Sequence, residues 1–329
     1  MIRIGLLGAG RIGQTHARAV AALDNVEITA VFDPVDEAAA FVTALTGARQ
    51  ATVSQIMHDD KIDAVIIATP TDLHADQIEQ AAQAGKAIFC EKPVDLSAER
   101  VRACLKTADK AGVKLMIGFN RRFDQNFSKV REALDAGKVG NVELVQITSR
   151  DPSAPPIDYV KRSGGLFRDM MIHDFDMARF LLGEEVVEVS ATGSVLTDPA
   201  IGEAGDVDTA TATLRTASGK IAVITNSRRA SYGYDQRVEV HGSKGMASAE
   251  NMRPTTVVIA NEEGYSQDPL LDFFMERYAE AYKSELQTFC AILAGEERSY
   301  PSGIDGLKAL ELADAAVQSL ETGKSVKLS

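Results

Sequence analysis

Ile2-Arg-Ile-Gly-Leu-Leu-Gly-Ala-Gly-Arg-Ile-Gly13 places an apolar strand, a Gly-x-Gly-x-x-Gly turn and a helix start in that order. Each glycine has its own task in such a turn. Gly8 makes the tight bend, Gly10 lets the backbone approach a pyrophosphate, and Gly13 lets the helix pack closely on the strand. The helix N-terminus then faces the phosphates. Glycines also cluster in ordinary loops, so the motif gains its meaning from the residues downstream. Val26–Phe32 reads as a second strand, and it ends in Asp33, twenty residues beyond Gly13. A carboxylate there accepts both ribose hydroxyls and repels a 2′-phosphate, which favours NAD over NADP. Arg11 offsets this in part by reaching a phosphate. The competing reading is a βα turn without ligand, with Asp33 as a cap before Pro34.

The chain of 329 residues is long enough for two domains with separate cores. Its 45% hydrophobic and 25% charged residues are ordinary for a globular protein. A net charge of -12 argues against nucleic acid and against anionic membranes as partners, which leaves a small molecule. No apolar run reaches the roughly 18 residues of a membrane span, and Met1 leads directly into a strand rather than into a charged leader. A cytoplasmic location is the expectation. Cys90, Cys104 and Cys290 are widely spaced and lie in apolar segments, which predicts buried thiols rather than a disulfide or metal framework.

Short apolar runs alternate with helix-like segments up to about residue 120, the pattern of a doubly wound parallel sheet. The predicted strands are Ile4–Leu7, Ile28–Phe32, Ala64–Ile67, Ala87–Cys90 and Lys114–Ile117. Ala64–Ile67 runs into Thr69-Pro70, a turn at the carboxyl edge where ligands sit in open α/β sheets, so Thr69 and Pro70 border the cofactor. From residue 121 to 329 the texture changes to successive strands at Val142–Thr148, Val187–Thr192, Thr209–Arg215, Ile221–Asn226 and Arg237–His241. Gly, Ser and Asp turns join them, which predicts an α+β domain with an open, mainly antiparallel sheet. Helices are expected at Leu166–Leu182, at about Phe273–Ala294 and at Ile304–Glu321. The uncovered sheet face offers an oligomer interface.

Two further stretches carry chemistry. In Cys90-Glu-Lys-Pro93 the proline restricts the residue before it, so Lys92 is held in a fixed turn at the ligand edge and can donate to a substrate hydroxyl. The alternative is a surface lysine after a strand, with Glu91 either bracing it or solvated. In Gly164-Gly-Leu-Phe-Arg-Asp-Met-Met-Ile-His-Asp-Phe-Asp-Met-Ala-Arg179, helical spacing puts Asp169, His173 and Asp176 on one face. A histidine between two carboxylates is oriented and made more basic by them, as a general base requires. A solvated charged face is the plain alternative. A metal site from these three residues is disfavoured because no cysteine or second histidine stands at ligand spacing.

The nucleotide turn, Glu91-Lys92-Pro93 after a strand, and Gly-Gly followed by Asp169-x-x-x-His173 resemble the glucose-fructose oxidoreductase / inositol dehydrogenase / rhizopine catabolism (Gfo/Idh/MocA) family over essentially the whole chain. Gly118-Phe-Asn-Arg-Arg-Phe-Asp124, Asp169–Leu181 and Tyr232-Gly-Tyr-Asp-Gln-Arg-Val-Glu239 look most like its inositol 2-dehydrogenases. The resemblance implies a Rossmann domain over 1–120 and a substrate-binding, oligomerising domain over 121–329, assembled as a tetramer. It implies Lys92, Asp169 and His173 as catalytic residues. Cofactor contacts are implied at Gly8, Gly10, Arg11, Ile12, Gly13, Asp33, Thr69, Pro70, His74, Glu91 and Lys92. Substrate contacts are implied at Lys92, Asn120, Arg122, Asp151, Asp169, His173, Tyr232 and Tyr234. Ser149-Arg-Asp151 and the proline-rich turn Asp151–Pro156 depart from the inositol dehydrogenase pattern.

The implied reaction is NAD-dependent oxidation of myo-inositol to 2-keto-myo-inositol, with His173 as base and Lys92 stabilising the oxygen. Another inositol isomer or a monosaccharide such as glucose is the alternative substrate. A non-catalytic NAD-binding regulator and a glycosidase acting through tightly held NAD are the alternatives of other classes.

Overall fold

The computed structural model describes residues 1–328. Of the amino-terminal strands, β1 (Ile2–Leu7), β2 (Val26–Phe32), β4 (Ala64–Ile67), β5 (Ala87–Cys90) and β6 (Leu115–Ile117) form where the apolar runs predict them, whereas β3 (Arg49–Gln50) is a polar, exposed pair outside any apolar run. All pair in parallel, in the order β3-β2-β1-β4-β5-β6. Every residue of β4 is buried, as a strand covered on both faces must be. The strand order reverses between β1 and β4, and the carboxyl ends there form the crevice of a Rossmann sheet.

The chain divides into two compact units, residues 1–123 with 279–310, and residues 124–278 with 311–328. The return of 279–310 differs from the expectation that everything beyond 120 belongs to the second domain. Its cause is the apolar face of the helix Ala279–Leu293, where Tyr282, Leu286, Phe289 and Ile292 are buried. Phe289 meets Phe89 of β5 edge-on, 5.8 Å between centroids, so this helix completes the layer covering the parallel sheet.

In the second unit β7 (Val142–Arg150), β8 (Val186–Ser194), β9 (Thr209–Thr216), β10 (Ile221–Ser227), β11 (Asp235–Gly242) and β12 (Gly245–Ala249) make one sheet. Two further strands, β13 (Val258–Asn261) and β14 (Gly264–Gln267), form a separate hairpin, and β15 (Val326–Lys327) closes the large sheet. The order β12-β11-β7-β10-β9-β8-β15 is antiparallel except at β10–β7. Side chains alternate as a one-sided sheet demands: along β9, Ala210, Ala212 and Leu214 are buried while Thr211, Thr213 and Arg215 are exposed.

The helix Ile172–Leu182 lies on β7 and β10 and is tied to them by Asp174. That carboxylate accepts from Ser149 Oγ at 2.6 Å and from Asn226 Nδ2 at 2.9 Å. The single helix expected over Leu166–Leu182 is two, Gly165–Asp169 and Ile172–Leu182. The amides of Met170 and Met171 both donate to Leu166 O, which interrupts the regular ladder between them. The helix expected near Phe273–Ala294 likewise divides at Tyr278. Among the described residues no helix is long and apolar enough to cross a membrane.

Asp124 opens the helix Gln125–Asp135, accepting from the amides of Asn126 and Phe127 at 3.1 Å each. It also pairs with Arg277, and both side chains are buried. Removing one member of such a pair leaves a desolvated charge. Asp124→Ala is therefore expected to destabilise the protein by about 3–5 kcal/mol in urea unfolding. Lys129→Ala, which breaks an exposed pair with Glu132, should change it by about 0.5 kcal/mol or less.

Candidate active site

The glycine turn has the shape its spacing demands. Gly8 sits at φ +90, and a Cβ there would stand 2.5 Å from Ala68 O, the residue after β4. A Cβ on Gly13 would stand 2.0 Å from Gly8 O, so only glycine lets the first helix, Arg11–Ala21, lie this close to the turn. Around Gly10 there is open space, and no side chain caps the helix it begins. The bare amides there fit a pyrophosphate.

Asp33 fastens the turn. Its Oδ2 accepts Ala9 N at 2.6 Å and its Oδ1 accepts Val35 N at 2.9 Å, which leaves lone pairs on both oxygens for ribose hydroxyls. Arg11 is exposed and Ile12 half-buried on the first helical turn.

The neighbouring carboxyl-edge loops are joined by His74. Its Nδ1 lies 2.8 Å from Pro93 O and its Nε2 2.7 Å from Thr69 O, so the ring bridges the turns after β4 and β5. Thr69 Oγ1 donates to Gln77 Oε1 at 2.7 Å, and Pro70 is exposed. Lys92 is half-buried, precedes a cis proline, and its amide donates to Glu91 Oε2 at 3.3 Å. Asn120 is buried in a short turn after β6. Beside it Arg122 Nη2 donates to Asp305 Oδ1 at 2.8 Å.

In the second unit Asp169 ends one helix and His173 lies in the first turn of the next, so the four-residue spacing does not run along a continuous helix. Asp169 accepts from Tyr159 OH at 2.9 Å and lies 3.9 Å from Arg228. His173 is half-buried. Asp176 is buried, with Arg179 at 4.0 Å. The amide of Asp151 donates to Ser227 O. Tyr232 OH accepts from Arg150 at 2.6 Å and donates to Asp235 at 2.7 Å. Tyr234 is buried edge-on between Phe273 and Tyr278.

Three residues here carry no sequence signal. Arg228 is fully buried with Asp206 3.4 Å and Asp169 3.9 Å away. Asp206 also accepts the Leu166 amide and thereby holds the Gly164-Gly165 bend. Tyr159 reaches Asp169 from a separate helix, Ile157–Ser163. Only the positive φ of Gly164 and Gly165 hints that something must hold this bend.

Residues 2–119 match the model of the oxidoreductase family with an NAD-binding Rossmann fold, and residues 127–248 match the Gfo/Idh/MocA C-terminal domain. The chain belongs to the Gfo/Idh/MocA oxidoreductases. It is 58% identical to an inositol 2-dehydrogenase of Rhizobium meliloti (strain 1021) over 100% of this chain and 99% of that one. A solved myo-inositol dehydrogenase from Corynebacterium glutamicum superposes with TM-score 0.96 at 45% identity, covering 100% and 99% of the two chains. A scyllo-inositol dehydrogenase from Lactobacillus casei, solved with NAD(H) and scyllo-inositol, superposes with TM-score 0.92 at 32% identity over 99% of each chain. The cofactor of this family member is NAD.

Two carbonyl acceptors are both satisfied only by a doubly protonated His74. Burial opposes that charge and lowers the pKa below its ordinary 6.5, against the pull of the two carbonyls. The native state therefore binds the proton less readily than the unfolded chain, and stability falls as pH drops below 6.5 toward the folded value. Melting temperature measured against pH should show this acid slope in wild type and a shallower one in His74→Gln.

Proposed function

We propose that the protein oxidises a secondary hydroxyl of a cyclic polyol with NAD+, its substrate being myo-inositol and its product 2-keto-myo-inositol. The observation that carries this reading is the 58% identity over the full chain to an inositol 2-dehydrogenase, in a chain that carries Lys92, Asp169 and His173. An intact set of this kind argues against a regulator that merely binds the cofactor.

In this reading His173 removes the hydroxyl proton as general base, and Lys92 donates to the same oxygen as it gains negative charge. Asp169, itself fixed by the Tyr159 hydroxyl, orients the imidazole and accepts a second hydroxyl of the substrate. NAD+, which Gly8, Gly10, Gly13 and Asp33 would hold, would supply the hydride acceptor for the carbon. Asn120, Arg122, Asp151, Tyr232 and Tyr234 supply the remaining donors and acceptors for the ring hydroxyls. Gly8, Gly10, Arg11, Ile12 and Gly13 hold the pyrophosphate, and Asp33 the ribose. Thr69, Pro70, His74 and Glu91 shape the wall beside them.

The protein acts in this reading as a cytoplasmic homo-oligomer, a tetramer, in inositol catabolism. Three free thiols support a reducing compartment. The open sheet face and the exposed Val257, Val258, Ile259 and Tyr265 at the hairpin support self-association.

NADH formation across myo-, scyllo- and chiro-inositol, glucose and galactose tests the substrate, and preference for a monosaccharide would overturn it. His173→Ala is expected to lower kcat by about 10²–10⁴ with the KM for NAD+ retained. Lys92→Ala should behave likewise, whereas loss of NAD+ binding would make the lysine structural. Asp33→Ser should relax the preference for NAD+ over NADP+, and unchanged discrimination would remove Asp33 from the ribose site.

A further inference from the structure

Glu285, on the helix Ala279–Leu293, is fully buried, and neither carboxylate oxygen has a hydrogen-bond partner. It faces His16 and Glu91, one donor atom of each residue lying within 4.8 Å of the others. His16, on the first helix, is also fully buried and its Nε2 lies 2.7 Å from Glu91 Oε1. Phe89 and Tyr282 stand edge-on to the His16 ring at 5.0 and 5.6 Å, so the surroundings are apolar. The other oxygen of Glu91 accepts the Lys92 amide. Gly118 lies so close that a Cβ there would stand 3.0 Å from Glu91 Oε1.

Two carboxylates in one dry pocket do not both ionise, because the second charge meets the first without water to screen it. Burial, and after it the Glu91 charge, pushes the Glu285 carboxyl well above the usual range. Either a cation or a proton can relieve this repulsion. A cation bound by all three residues would hold each donor at about 2.0–2.2 Å and so spread the donors apart. The 2.7 Å His16–Glu91 contact is instead closed as a hydrogen bond.

We propose that Glu285 is a neutral carboxylic acid in the working protein and keeps the His16–Glu91 pair as one singly charged unit behind Lys92. Glu285 and His16 are then positioning residues for that lysine. The inference rests on the reading of Lys92 as the group that donates to the substrate oxygen. With Glu285 neutral, Glu91 keeps its charge, His16 donates Nε2–H to it, and Glu91 Oε2 holds the Lys92 amide. Ionising Glu285 would set a second carboxylate charge against Glu91 at the root of the lysine.

Infrared difference spectra of wild type against Glu285→Gln read the proton without turnover. The C=O stretch of a protonated carboxylic acid is expected in wild type at neutral pH and absent from Glu285→Gln. That variant, which preserves shape and neutrality, should keep kcat and its pH profile. Glu285→Ala should lower kcat about tenfold or more while leaving the KM for NAD+ unchanged. Absence of the band overturns the proposal, as does an equal loss of kcat in both variants, or stoichiometric metal in the purified protein. If no polyol is oxidised, the reading of Lys92 fails, while the infrared band still decides whether Glu285 holds its proton.

Discussion

The backbone contact between Gly13 and Gly8 is the constraint on which the first unit is built. With no side chain at either position, the first helix settles against the carboxyl end of β1, where a methyl at residue 13 would stand 2.0 Å from Gly8 O. Asp33 reaches back from the end of β2 to the Ala9 amide and closes the turn from the other side. One helical turn beyond Gly13, the same close packing carries the His16 ring down to Glu91 at the end of β5. A motif usually read only for its phosphates thus also fixes the carboxylate that precedes Lys92.

In both units charged side chains are fixed by partners within the protein. Arg122 is paired with Asp305, Asp169 is held by Tyr159, and Asp235 receives hydrogen bonds from Tyr232, Arg237 and Asn251. Asp235 consequently stays below the ordinary carboxylate range although burial pushes the other way. In the proposed reaction, groups fixed in this manner would need no reorganisation as charge develops on the substrate oxygen, which is where preorganised polar sites gain over water.

Most strands of the two sheets were legible because their residues state their surroundings, whereas β3, β12 and β15 are short and largely exposed and carry no such signal. Fully apolar β4 and β5 match the expected limits, and the alternation of β9 reveals a one-sided sheet. The break at Met170 and Met171 was not legible, since methionine is a good helix former and only the tertiary path turns it. The β13–β14 hairpin escaped notice because its residues are exposed and carry no burial pattern. The helix Ala279–Leu293 announced an apolar face but not the sheet that covers it. For the same reason Glu285 gave no sign of His16 and Glu91, which lie far from it in sequence. Local patterns report an element's periodicity, while partnerships across hundreds of residues exist only after folding.

Substrate choice in the proposed reaction depends on how the polar groups of the second unit are held. A flexible side chain tracks a misplaced hydroxyl at little cost, whereas one already fixed by its own partners leaves a lone pair or proton unmet. Tyr232 is fixed by Arg150 and Asp235, and Asp169 by Tyr159 with Arg228 nearby. A polyol whose hydroxyl points elsewhere would strand these groups, and a site built to bond a hydroxyl rejects analogues lacking it by about 10⁴–10⁵. In the proposed reaction Asp169 and Tyr232 would thereby contribute to discrimination among ring isomers, and Asp33 to the choice of cofactor.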